Sequence, residues 1–338
     1  VILFVAVFAF VYINQYDIQF TASGLNKMAS AETQVYCLDV GQASASLLIF
    51  PTRRTMLIDT GSEDSSDEFL RDVDKILTEN NLSVIDILVL THSDEDHVGG
   101  ALKLLEKYQV NNVYRPKLIS LSAFDERGTG YNVVTTQIYK QVITAIYKEP
   151  DCTVSFINDK TFVEGEGCTV TFYSCSSYLY SAVNSYCPYI VVEAREKVFL
   201  FCGDAPSERE EEFLNRLKLD GTTLQVDFLF VPHHGAKDGS SEDFLSAISP
   251  RYALVSAGDA KYPTSAVTKR LLASGVEKIY VTRSDGTIGI AVQESGAFSI
   301  YTMSNPIDLP LVVCAIFFVG AAWNYYLSKR KRRFFTLK

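Results

Sequence analysis

Residues 88–100 read LVLTHSDEDHVGG. An apolar run of strand character ends in two histidines, His92 and His97, with three acids, Asp94, Glu95 and Asp96, between them. Taken alone, SDEDH is the opening of a helix, where free N–H groups and the macrodipole favour acids. The rest of the chain argues for a second use.

All four histidines of the chain lie in two places, this one and His233-His234 within VPHHGAKDGSS, 231–241. Each place follows an apolar run, as do Asp59 in LIDTGS and Asp204 in FCGD. If those strands share a sheet, the four clusters meet at its loop edge, where ligands of open α/β sheets collect. Imidazole and carboxylate together suit zinc, manganese or iron. A carboxylate can bridge two such ions about 3.5–4 Å apart, and the pair lowers the pKa of water toward roughly 7. A hydroxide nucleophile then needs no serine or cysteine. DEDH lacks the spacing and the glycine of a calcium loop.

The alternation of apolar segments gives an α/β domain with more strands than a simple doubly wound sheet requires. Helices are expected over Asp67–Asn80, 99–110, Thr135–Lys148, Ser207–Leu217, Ser241–Ile248 and Ser265–Ala273, with strands between them and a final hairpin turning at Asp285-Gly286. Gly99 and Gly100 permit close backbone approach at the start of their helix.

Both ends carry membrane-like runs. Val1–Ile13, VILFVAVFAFVYI, is shorter than the roughly 20 residues of a spanning helix and reads as the tail of a longer span. Leu309–Leu327 is free of charge, carries Trp323, Tyr325 and Tyr326 at an interfacial position, and is followed by SKRKRR. Basic residues directly after a span mark the cytoplasmic side. The expected layout is a transmembrane segment at 1–13, a polar linker at 14–33, an extracytoplasmic domain at 34–302, a transmembrane helix at 309–327 and a basic cytoplasmic tail at 328–338, all held at the plasma membrane. Six of the 31 basic residues sit in that tail, leaving 25 against 40 acids elsewhere, a balance that opposes broad nonspecific binding of nucleic acid. Cys152, Cys168, Cys175 and Cys187 have no CxxC spacing and are candidates for pairing in an oxidising compartment.

The ordered set LDVGQ, LIDTGS, THSDEDHVGG, FCGD, VPHHG and RSDGTIGI, spanning about Val35 to Tyr301, resembles the metallo-β-lactamase superfamily, and within it the extracytoplasmic domain of ComEC-type competence proteins. The family's HxHxDH appears as His92, Asp94, Asp96 and His97, with Asp94 in place of the second histidine. The resemblance implies an αββα sandwich, two mixed sheets between helices. It also implies two divalent metals, zinc or manganese. His92 and Asp94 would hold the first and Asp96 and His97 the second. Asp204 would bridge, and either His233 or His234, with His234 preferred, would supply the remaining imidazole. Asp96 and Asp204 are the residues on which catalysis would rest. Asp59 and Asn184 would act behind the ligands, and Lys237 and Tyr262 are candidates to reach substrate.

Two departures stand out. No histidine lies between His97 and His233, where the family places a ligand ahead of the bridging aspartate, and the usual GQGD is here GQAS, Gly41–Ser44. The expected function is a membrane-anchored phosphodiesterase or nuclease using hydroxide as nucleophile, with single-stranded DNA as a candidate substrate and a separate channel protein as a candidate partner. The alternatives are a noncatalytic binding module on the same fold, or a hydrolase of a small ester or envelope polymer. A basic, aromatic groove beside the metals would favour nucleic acid, and an acidic or closed pocket a small substrate. Arg115, Lys117, Lys237, Lys261 and Arg283 are scattered candidates for such a groove.

Overall fold

A strand buried on both faces is apolar at nearly every position, and most strands of this chain are of that kind. The computed structural model describes Met28 and residues 31–117, 136–176, 180 and 182–303, all within one unit, Gly24–Met303. Its strands in chain order are β1 (Thr33–Cys37), β2 (Ser46–Ile49), β3 (Thr55–Ile58), β4 (Val84–Val89), β5 (Gln109–Arg115), β6 (Thr153–Phe156), β7 (Lys160–Val163) and β8 (Cys168–Tyr173). They continue with β9 (Tyr189–Ala194), β10 (Lys197–Phe201), β11 (Phe228–Phe230), β12 (Tyr252–Val255), β13 (Lys278–Val281), β14 (Thr287–Val292) and β15 (Phe298–Met303). One sheet has the order β15-β14-β1-β2-β3-β4-β5-β6 and the other β13-β12-β11-β10-β9-β8-β7. Both are mixed: β3 to β6 run parallel in the first, as do β10 to β13 in the second, and the remaining pairs are antiparallel.

Side-chain alternation sends the two faces of each strand to different cores. Met56, Ile58, Ile87 and Val89 of the first sheet meet Val192, Phe199, Phe201, Phe228 and Phe230 of the second in a layer between the sheets. Phe201 stacks on Phe230 there with ring centroids 3.9 Å apart. Helices α1 (Ser66–Glu79), α2 (Glu95–Val98), α3 (Ala101–Lys107) and α4 (Gln137–Ile146) belong to the first half of the chain. Phe69, Val73, Ile76 and Leu77 of α1, at one-face spacing, pack with Leu104 and Val142 on the outside of the first sheet. Helices α5 (Ser207–Leu219), α6 (Glu242–Ile248) and α7 (Ser265–Ala273) cover the second sheet through Phe213, Phe244, Leu245 and Leu271, while α8 (Thr282–Asp285) is a single turn. The layers are α, β, β, α, as expected.

Four expectations need correction. The strands that carry the four polar clusters do not share one sheet: β3 and β4 lie in the first, β10 and β11 in the second. The helix expected over 99–110 ends at Lys107, because Gln109 already pairs with Val84 in β5. Asp285 does not turn the last hairpin; it closes α8 by accepting from the Val281 N–H at 2.8 Å, and the β14–β15 turn falls at 293–297. The end of the expected linker packs into the domain, with Met28 and Ala31 buried in the outer core.

Among the described residues no helix is long and apolar enough to cross a membrane. Residues 1–27 and 304–338, where both expected spans fall, lie outside the described residues. The cysteines at 37, 152, 168, 175, 187 and 202 are free thiols.

Candidate metal centre

Strands β3 and β4 run side by side and parallel, so their C-terminal ends open on the same edge. β3 delivers Asp59 in a left-handed backbone conformation, φ 59°. β4 delivers Thr91 and His92, after which Asp94 stands at the N-cap of α2. Its side chain makes no capping bond, so the carboxylate remains available for the site. From the second sheet, β10 runs into Gly203 and Asp204, and β11 into the two consecutive left-handed residues His233 (φ 51°) and His234 (φ 54°). Non-glycine residues take that conformation at a cost that surrounding contacts must offset, and it recurs at functional sites.

Every histidine has its Nδ1 against an oxygen. His92 Nδ1 lies 3.0 Å from Thr91 Oγ1, and His97 Nδ1 lies 2.7 Å from Asp59 Oδ2. His233 Nδ1 is 3.0 Å from both oxygens of Asp238, and His234 Nδ1 is 2.7 Å from the Ser256 carbonyl. Thr91 donates its own hydroxyl proton to Asp59 at 2.7 Å, so His92 is the donor toward Thr91. In all four rings Nδ1 therefore carries a proton, which leaves Nε2 as the nitrogen that faces the site.

Those four Nε2 atoms converge on one carboxylate. Asp204 has His97 Nε2 at 3.0 Å from Oδ1, and His233, His92 and His234 Nε2 at 3.7, 3.9 and 3.9 Å from Oδ2. Asp96 Oδ2 stands 3.2 Å from His234 Nε2, and Asp94 Oδ2 stands 3.8 Å from His92 Nε2. The donors of Asp96, His97, Asp204 and His234 all lie within 4.8 Å of one another. Ligands on one tetrahedral ion with bonds of roughly 2.0–2.1 Å stand about 3.4 Å apart, the range seen here. The Nε2 atoms of His92 and His97 are buried without a well-aligned hydrogen bond, His97 Nε2 facing Asp204 Oδ1 at 3.0 Å, and a buried polar atom left unpaired, as His92 Nε2 is, costs about 1–3 kcal/mol. A divalent cation would satisfy both. The residues present fit the group.

The electrostatics follow from burial and crowding. Burial pushes the His92 imidazole down to about 3, helped by the neighbouring His97, so it is neutral and ready to ligate. Burial also acts against a charged His97, but Asp204 and Asp59 outweigh it and hold its pKa well above the ordinary value. Asp204 is buried too, yet the imidazoles of His97, His234 and His92 keep its carboxyl far below the usual range. Asp94 is raised by burial and by repulsion from Asp96.

The sequence pattern of the Metallo-beta-lactamase superfamily matches residues 38–259. The chain belongs to that superfamily. It is 27% identical over 299 residues to ComE operon protein 3 of Bacillus subtilis (strain 168), covering 83% of this chain and 36% of the relative. It is 27% identical over 256 residues to Recombination protein 2 of Haemophilus influenzae, covering 75% of this chain and 28% of the relative. This superfamily chain thus spans about a third of the length of the curated relatives it matches. Among solved structures, the metallo-beta-lactamase fold protein YhfI of Bacillus subtilis aligns with a TM-score of 0.47 at 11% identity, over 76% of this chain and 99% of that one.

The residues expected behind and around the ligands divide. Asp59 lies under His97 and is itself held by the Thr91 N–H at 2.8 Å. Asn184 lines a cleft of about 480 Å³ with Asp94, Thr136, Pro206 and Asp238. Lys237 is exposed on the loop, its carbonyl taking a bond from Arg270. Tyr262 packs against the outer core of the second sheet. Lys261 pairs with Asp259 at 3.0 Å, and Arg283 donates to the carbonyls of Asp259 and Tyr262, so these two side chains are engaged within the domain.

Asp238, Thr91 and Ser256 are not among the residues that the sequence motifs single out. Asp238 had a signal, an acid five positions after His233 in a glycine-bounded loop. A threonine after a strand and a serine whose contribution is its backbone carbonyl carry none.

Proposed function

We propose that this chain is a metal-dependent hydrolase of phosphodiesters, anchored in the plasma membrane with its catalytic domain outside. The convergence of four Nε2 atoms on Asp204, with Asp94 and Asp96 flanking it, is the observation that carries the reading. Bound divalent ions supply Lewis acidity, which acidifies water and neutralises charge on a phosphoryl oxygen. The chain's own residues do the rest. Asp59, Thr91, Asp238 and Ser256 fix the imidazole tautomers, so no ring reorganises when charge develops. Asp204 lies between the two groups of donors, His92-Asp94 and Asp96-His97-His234, and would be shared by both ions. The cleft beside Asp94 and Asn184 is where a substrate would lie.

The wall of that cleft bears on substrate choice. Asp94 and Asp238 make it acidic, and two of the scattered basic candidates are already bonded elsewhere in the domain. This favours a second reading, a small phosphodiester or ester over a polynucleotide. Single-stranded DNA, brought by a separate channel protein, is the substrate favoured by likeness to competence-related relatives.

The test is metal content by elemental analysis of the purified chain after zinc or manganese loading. Hydrolysis of bis(p-nitrophenyl) phosphate and of single-stranded DNA is assayed alongside, with Asp96→Ala and Asp204→Ala as controls. The expected outcome is bound metal and cleavage, both lost in the controls. Bound metal without cleavage would leave a binding module, and no metal at all would remove the enzyme reading.

A further inference from the structure

The loop after β11 carries one imidazole more than the second donor group needs. His234 already completes Asp96, His97 and Asp204, and His233 brings its Nε2 to 3.7 Å from the same Asp204 Oδ2 that His234 Nε2 approaches at 3.9 Å. His92 Nε2 meets that same oxygen at 3.9 Å, and Asp94 lines one cleft with the Asp238 that backs His233, while the sequence has no histidine between His97 and His233 to add to His92 and Asp94. We propose that His233 and His234 are both ligands, one to each ion, and that His233, aimed by Asp238, takes the place of the missing first-site histidine. The inference rests on the two-metal reading and specifies its less complete half.

Three observations support a built ligand rather than an incidental surface histidine. First, His233 Nδ1 is equidistant from the two oxygens of Asp238, 3.0 Å each, leaving Nε2 free. A carboxylate behind a ligating imidazole fixes its tautomer and raises its basicity. Second, the His233 N–H donates to the Gly203 carbonyl at 3.1 Å, so the residue is tethered directly beside Asp204. The consecutive left-handed turns at 233 and 234 then let both rings reach one carboxylate, with centroids 6.3 Å apart.

Third, the loop that places Asp238 is held from several sides. The Ser207 N–H and hydroxyl both donate to the Asp238 carbonyl, at 2.8 and 2.6 Å. Arg270 Nη2 donates to the Lys237 and Gly239 carbonyls at 3.3 and 2.7 Å. The buried Glu210 carboxylate accepts the N–H groups of Ser240 and Ser241. An exposed aspartate whose flanking carbonyls and N–H groups are bonded to two helices is preorganised. Glu210 and Arg270 are positioning residues in this arrangement, acting through Asp238.

The experiment reads stoichiometry rather than turnover. The full chain and its variants are loaded with zinc, or with cobalt for its visible absorption, and the ions per chain are counted by native mass spectrometry. His233→Gly suits the left-handed backbone and removes the ring. It is expected to hold one ion where the parent holds two, and free imidazole is expected to restore the second. Asp238→Asn keeps the shape and is expected to weaken the more labile ion about 10–100-fold. His233→Asn, a residue tolerant of left-handed backbone, serves as a second variant, with circular dichroism reporting folding. A His233→Gly chain that keeps two ions at unchanged affinity would overturn the assignment of His233 and leave the metal centre standing. A parent chain that binds no ion would overturn both.

Discussion

Asp59 Oδ2 lies 2.7 Å from His97 Nδ1, and the same oxygen takes the Thr91 hydroxyl at 2.7 Å. The aspartate touches neither Asp204 nor the cleft, yet it decides which nitrogen of His97 faces them. Asp59→Asn keeps the shape and presents an amide that can turn an N–H toward the ring. Metal affinity is expected to fall about 10–100-fold, measured by competition with a chromophoric zinc chelator. Unchanged affinity would mean that packing alone orients His97.

Metal should stabilise this protein more as pH rises. His97 and His234 are buried, which alone would lower their pKa values, but Asp204 and Asp59 around His97 and Asp96 beside His234 raise them above the ordinary value. A raised histidine pKa gives the metal-free fold stability that is complete below the unfolded value near 6.5 and is lost as pH climbs through the folded value. Protons also compete with the ion for the same nitrogens at low pH. Both effects have one sign. The gain in Tm on adding zinc is expected to grow from pH 6 to pH 8, and a constant or shrinking gain would contradict the ligand roles of these two rings.

Gly100 cannot acquire a side chain cheaply. A Cβ there would stand 2.2 Å from the Thr60 carbonyl oxygen, and at Gly99 2.2 Å from the Glu63 nitrogen. These glycines press the start of α3 against the loop that follows Asp59. Gly100→Ala is expected to cost about 1–3 kcal/mol as an overpacked contact, read as a lower midpoint in urea. It should loosen metal binding as well, because Thr60 takes its N–H bond to the His97 carbonyl at 2.7 Å through the same loop.

Tyr262 separates packing from recognition. Its ring lies against the core of the second sheet and under Lys261, whose Nζ is 5.1 Å from the ring centroid. Tyr262→Phe is expected to leave metal content and kcat/KM within about twofold, a change below 0.5 kcal/mol. A tenfold loss in kcat/KM with the metals retained would place the hydroxyl on the substrate.

Much of this centre was legible from the chain because its ligands are strand-terminal. The period-2 and apolar-run patterns mark where β3, β4, β10 and β11 stop, and within three positions of those ends stand His92, Asp204 and His233, which meet, and Asp59, which backs His97. Helix positions in α1, α5 and α7 followed from one-face spacing for the same local reason. The misplacements have local causes too. The expected helix over 99–110 overruns α3 because LLEKYQV continues an apolar period that β5 interrupts by pairing. SDG reads as a hairpin turn, whereas the Asp285 carboxylate closes a helical turn instead.

Residue order alone determined the superfamily, the layer architecture and the candidate donors, histidines and carboxylates placed after strands, since these depend on periodicity and on chemistry carried by short motifs. The tertiary structure decided what depends on distance. It set Asp59, Thr91 and His97 in one chain of hydrogen bonds, turned four imidazoles to present the same nitrogen, and brought Asp238 behind His233. It also brought the ends of two different sheets to a single carboxylate. Such relations join residues as far apart in sequence as His234 and Asp96, |i−j| = 138. No local pattern encodes the contacts between the two sheets, because they arise only when both sheets are packed face to face.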